Sequence, residues 1–163
     1  MKKNWLFLAG LVLSIFATSG CGHQKALSDE EFFSKARANG FSVSMEGTLE
    51  GYEGNLPVAV KNGCSVVYAV LPTQDEAREV FNKIVFPLTE KCNINAHMLK
   101  NYKYTTTIGD NYELRGTPWY KHASFDCGGN YFYGTLIKNT LFLSANLGKC
   151  KYDIELLAKS MDY

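Results

Sequence analysis

Hydrophobic and polar positions follow different rhythms along this chain, and each rhythm predicts a different kind of element. Residues 5–17 form an apolar run of thirteen, preceded by Lys2 and Lys3 and followed by the small residues Thr18, Ser19 and Gly20. A membrane-spanning helix needs about twenty apolar residues, so this run reads as the core of an export signal. After a polar spacer, Ser28 and Glu31 have capping-box spacing, and Leu27 and Phe32 form a hydrophobic staple. With Phe32, Phe33 and Ala36 as an apolar stripe, they predict a helix that stops at Gly40. Residues 41–45 alternate as a strand does. Residues 47–57, with three glycines, two glutamates and a proline, read as a loop with at most a short strand after it.

Residues 64–71 are almost continuously apolar, the pattern of a strand buried on both faces, which places it centrally in a sheet. Thr73 and Glu76 form a second capping box. Ala77, Val80, Phe81, Ile84 and Val85 recur at helical spacing, so a helix is predicted over residues 74–86, ending before Pro87. From residue 102 the pattern becomes a meander. Strands are predicted at 102–108, 111–116, 119–127, 130–137 and 140–147, with turn chemistry at Gly109-Asp110, Gly128-Gly129 and Lys138-Asn139. Ile154, Leu157, Ala158 and Met161 mark a terminal helix over one face of the sheet. The expected fold class is α+β: an antiparallel meandering sheet with about three helices packed mainly on one face.

The apolar run ends at a cysteine, and Ser19-Gly20-Cys21 resembles the lipobox of bacterial lipoproteins, although Thr18 stands where that family usually has leucine. The resemblance covers only the leader. It implies cleavage before Cys21, acylation of its thiol, and lipid anchoring on the exported face of a bacterial cell membrane or outer membrane. The expected organisation is a signal peptide over residues 1–20, a lipidated tether over 21–26 and one α+β domain over 27–163. Removing Lys2 and Lys3 from 17 basic residues leaves 15 against 16 acidic ones. So balanced a charge provides no footprint for nucleic acid or anionic headgroups, and attachment falls to the acyl chains.

Export changes how Cys64, Cys92, Cys127 and Cys150 are read, since an even number outside the cytoplasm suggests disulfides. Zinc is the weaker alternative, because no two of them have the close spacing of structural zinc sites, and free buried thiols are another. Three pairings are possible. The strand over 64–71 runs out and the helix over 74–86 returns. Likewise, the strand ending at Cys127 is followed by one that runs away and one that returns to Cys150. The preferred bridges are therefore Cys64 with Cys92 and Cys127 with Cys150.

No nucleophile elbow, zinc-protease helix, phosphate-binding loop or dinucleotide fingerprint occurs in the chain, and no cofactor is expected. His23 falls in the spacer and His97 reads as a surface residue. His122 and Asp126 share a strand face about 13 Å apart, too far to pair directly. Strict alternation places Leu141, Leu143, Ala145 and Leu147 toward a core. The opposite face would carry Tyr120, His122, Tyr131, Tyr133, Thr135 and Phe142, an aromatic and hydroxyl-rich candidate binding face. The competing reading of that face is cross-strand packing or cover by the first helix. The functional expectation is a non-catalytic surface lipoprotein that binds a protein or small ligand. The alternatives are an envelope hydrolase with converging carboxylates and a structural accessory subunit.

Overall fold

The computed structural model describes residues 26–49, 52–100 and 105–163. The expected leader, Cys21, His23 and the start of the strand expected from residue 102 lie outside them. The elements are α1 (Asp29–Ala38), β1 (Ser42–Leu49), β2 (Tyr52–Lys61), β3 (Cys64–Val70), α2 (Gln74–Lys91), β4 (Thr105–Gly109), β5 (Tyr112–Gly116), β6 (Tyr120–Cys127), β7 (Asn130–Ile137), β8 (Thr140–Leu147) and α3 (Lys151–Ser160). One eight-stranded antiparallel sheet runs in the order β1-β2-β3-β8-β7-β6-β5-β4. Hairpins account for every neighbour except β3–β8, where α2 and the β4–β8 meander intervene. The fold is α+β, as the element pattern predicts.

The helices divide between the two faces. Phe81 and Val85 of α2 pack on Leu114, Ala123, Phe125, Phe132, Leu136, Leu141 and Leu143. On the other face Phe32 and Ala36 of α1, with Ile154, Leu157 and Ala158 of α3, pack on Val66, Tyr68, Tyr131, Tyr133 and Phe142. Two of the three helices thus share a face, and the third gives the sheet a second buried side. The central strands have core on both sides, and seven of the eight residues of β7 are buried.

Capping makes α1 and α2 start where the sequence says. The Ser28 hydroxyl accepts from the Glu31 amide while the Glu31 carboxylate accepts from the Ser28 amide, 2.8 Å away. Thr73 likewise accepts from Glu76. The expected stop before Pro87 is wrong: α2 continues through the proline to Lys91. A proline removes one helical hydrogen bond and crowds the preceding turn. Here the turn beyond it is held by tertiary contacts, with Thr89 buried, its hydroxyl donating to the Phe86 carbonyl, and Cys92 bonded to the sheet.

The expected loop over 47–57 is instead strand over its described residues, 47–49 in β1 and 52–57 in β2. The β1–β2 register shifts twice, between Ser44 and Gly47 and between Gly47 and Leu49. Pro57 sits opposite the first shift, where the β2–β3 ladder, which begins at Val58, does not reach. A residue without an amide hydrogen fits there. Gly47 is required by close approach, since a Cβ on it would lie 2.7 Å from the Leu56 carbonyl oxygen.

All four domain cysteines lie at the same end of the sheet, as strand and helix lengths require, but the bridges are Cys64–Cys150 and Cys92–Cys127. The preferred pairing is thereby corrected. Side chains two apart on a strand share a face, so Cys64 goes with Val66 and Tyr68, on the α1/α3 side. Cys127 goes with Ala123 and Phe125, on the α2 side. Cys92 at the end of α2 therefore meets Cys127, and Cys150 at the start of α3 meets Cys64. Level along the strand brings all four cysteines together, and face decides which of them meet.

Candidate functional site

The aromatic face expected to meet solvent is mostly interior. Tyr131, Tyr133, Phe142 and His122 are 2%, 7%, 1% and 5% exposed, and of the five candidates only Tyr120 is half-buried. For Tyr131, Tyr133 and Phe142 the reason is cover by α3 across β3, β8 and β7, with α1 beside it over β1 and β2. Phe142 packs edge-on to Tyr133, and Tyr131 donates to the Glu155 carboxylate of α3 at 2.7 Å beneath the Lys151 ammonium. Burial raises the Tyr131 hydroxyl above the ordinary phenol range, and the Glu155 carboxylate reinforces the shift.

Beyond α3 the same face continues onto β6, β5 and β4, with no helix among the described residues above it. Register alone assembles this ledge: His122 sits between Thr135 of β7 and Arg115 of β5, and Ser124 between Tyr133 and Glu113. The imidazole is held at both nitrogens, Nδ1 at 3.1 Å from the Thr135 hydroxyl and Nε2 at 3.1 Å from the Ser124 hydroxyl. Tyr120 stacks parallel to it, and Tyr133 meets it edge-on at 4.7 Å. Burial, helped by the Arg115 guanidinium, pushes His122 down to about 4, so the ring is neutral at physiological pH. Burial likewise pushes Tyr133 up to about 12.

Arg115 and Glu113 pair side by side on β5 and form the polar rim of the ledge, with Ile108 of β4, 69% exposed, outside them. Asp126 does not approach His122; its carboxylate takes the Lys151 ammonium at 3.0 Å. Chemically the ledge offers a guanidinium, a carboxylate, hydroxyls and a stacked ring edge to a partner. It is poorly built for proton abstraction, because a histidine of such low proton affinity is a weak base at neutral pH and its Nδ1 is oriented by a hydroxyl rather than a carboxylate. Arg115 and Glu113 were missed in the sequence. The signal available was the short link between the strands predicted at 111–116 and 119–127, which makes β5 antiparallel to β6; their register sets Arg115 beside His122 and Glu113 beside Ser124.

His97 is exposed, as expected. It borders a shallow groove of about 320 Å³ at the C-terminal end of α2, lined by Phe86, Thr89, Glu90, Asn93 and Ile94. Among the described residues no group of three or more histidine, cysteine or acidic side chains could hold a metal ion, and no helix is long and apolar enough to cross a membrane.

No protein-family model matches the sequence, and no curated protein matches it. Among solved structures the chain is similar to a GTP binding regulator from Thermotoga maritima, at 10% identity and a TM-score of 0.46, with 83% of this chain and 88% of that one covered. A likeness of that degree carries no argument about function.

Proposed function

We propose that this chain is an exported, lipid-anchored binding protein of the bacterial envelope, held to its membrane through Cys21. The observation that carries the reading is the cysteine inventory. Of five cysteines, four are consumed by two bridges inside the domain, and the one left over stands at the lipobox position after a thirteen-residue apolar run. Bridged cysteines suit an oxidising compartment, and the same export that supplies that compartment would deliver Cys21 for acylation. Two or more acyl chains anchor stably without help from protein charge. The ledge formed by Tyr120, Arg115, Glu113 and Ser124 is the surface on which a ligand or protein partner would dock.

Intact-mass measurement of the protein from its native host tests the anchor. Loss of residues 1–20 and a mass increment of acyl chains on Cys21 are expected, and an uncleaved or unacylated chain would refute it. For the binding surface, pull-down from solubilised cells with the tagged, lipidated protein is compared with its Arg115→Ala variant. A partner captured by the wild type should be lost with the variant while the melting temperature holds.

A further inference from the structure

The end of the domain that faces the bilayer follows from where the tether joins the fold. Leu27, the residue after the tether, is fastened to the core: its amide donates to the Tyr68 hydroxyl at 2.7 Å, and that hydroxyl donates back to the Leu27 carbonyl at 2.8 Å. The Tyr163 hydroxyl, three residues past the end of α3, lies 3.3 Å from the Tyr68 hydroxyl. Between this fixed point and Cys21 stand five residues, which cannot span more than about 20 Å. With the proposed anchor at Cys21, the membrane surface is within that distance of Leu27.

Register identifies what else lies at that level. Val70 is opposite Thr140, Thr140 opposite Ile137, and Ile137 opposite Tyr120, so these four residues form one row across β3, β8, β7 and β6. The row is two residues, about 7 Å, beyond Tyr68. One step further are Leu71, the Lys138-Asn139 turn and Trp119, tied together by hydrogen bonds from the Leu71 amide to the Asn139 carbonyl and from the Lys138 amide to the Trp119 carbonyl. At this end Trp119 is 56% and Val70 41% exposed, and Lys138 is exposed beside them. Both bridges lie at the opposite end.

Resting on the proposed lipid anchor, we infer that this end of the sheet stands on the bilayer, with Trp119 in the headgroup layer and Lys138 beside it. An amphipathic indole settles at the boundary between headgroup and acyl chain, and Lys can keep its ammonium in the polar layer while its stem lies along apolar surface. The first turns of α1 and α2, with Asp29, Glu30, Glu31, Asp75 and Glu76, open toward the same end. With Lys138 and, in the last turn of α3, Lys159 at this end too, neither sign of charge dominates, which suits a zwitterionic surface. The far end, with its disulfides and the Asn62-Gly63 and Gly128-Gly129 turns, points away from the membrane.

The sequence has two tryptophans, and Trp5 belongs to the leader, so Trp119 is the sole indole of the processed chain. The wild-type acylated protein is reconstituted into phosphatidylcholine vesicles with and without brominated acyl chains. Its intact mass is taken first, so that failure of the anchor is separated from failure of the orientation. The expected result is a blue-shifted Trp119 emission that is quenched by brominated lipid, as an indole at the interface requires, with Lys138 labelled several-fold more slowly by a membrane-impermeant amine reagent than in detergent. Acylated protein whose emission is water-like and unquenched, with Lys138 labelled equally fast in both, overturns the orientation and leaves the anchor standing. A chain without acyl groups overturns both.

Discussion

The two bridges are nested, and nesting makes their energetic weights calculable. Cys64–Cys150 closes 86 residues and Cys92–Cys127 closes 35 of those same residues. On the chain-entropy relation each loop costs the unfolded state in proportion to the logarithm of its length. Removing the outer bridge while the inner one is intact opens a path of 86 less 35, or 51 residues, for a loss of about 4 kcal/mol. Removing the inner bridge from a ring already closed frees less chain, and the same relation gives about 3 kcal/mol. Reducing both gives about 7 to 8 kcal/mol, comparable with the whole stability of many domains, about 5 to 15 kcal/mol. The measurement is equilibrium unfolding in guanidinium chloride on a Cys21→Ser background, comparing Cys64→Ala/Cys150→Ala with Cys92→Ala/Cys127→Ala. Both should lower the midpoint, the outer pair more, and thiol reductant should unfold the unmodified domain in mild denaturant. The reasoning fails if reductant leaves the midpoint where it was, or if non-reducing peptide mapping joins Cys64 to Cys92.

Tyr131→Ser and Tyr133→Ser should each cost about 3 to 5 kcal/mol, because both rings are buried under α3, whereas Tyr120→Ser should shift the thermal midpoint little; equal shifts for all three would contradict the placement of α3. Since folding lowers His122 from its usual 6.5 to about 4, the unfolded chain binds the proton first. The contribution is present in full above 6.5 and is lost as pH falls toward 4, by up to about 3 kcal/mol. Urea unfolding at pH 7 and 4.5 should register this difference, and His122→Gln should reduce it; an unchanged slope in the variant argues against His122 as its source. Tyr68→Phe deprives the Leu27 amide and carbonyl of their partner, with an expected loss of about 1 to 3 kcal/mol and faster hydrogen exchange at Leu27. Unaltered exchange there would count against Tyr68 as the clamp on the first residue of the domain.

Much of the fold was legible because local chemistry and tertiary context agreed. Capping boxes at Ser28 and Thr73, glycine and asparagine at the turns, and alternation along β8 each specify a conformation over a few residues without reference to the rest of the chain. Where the two disagreed, the local rule lost. Pro87 forbids an intact helical ladder, yet burial of Thr89 and the bond to Cys127 hold the turn beyond it. The glycines and Pro57 of the first hairpin argued for a loop, but register shifts accommodate them within strands. The criterion that placed β3 in the middle of the sheet, an almost continuous apolar run, applies to β7 as well, where Thr135 is the one polar residue between Tyr131 and Ile137. Applied there, it would have called for cover on both faces and removed Tyr131 and Tyr133 from the list of exposed candidates.

From the sequence by itself came the antiparallel meander, the starts of the helices, the even set of domain cysteines and the odd Cys21, because periodicity, caps and counts are properties of neighbouring residues. Only the tertiary structure decided which face each helix covers, and with it which cysteines meet and which aromatic rings reach water. A strand carries two faces at every position along its length, and nothing in its own residues records which helix will return to which side; that depends on contacts between segments far apart in the chain.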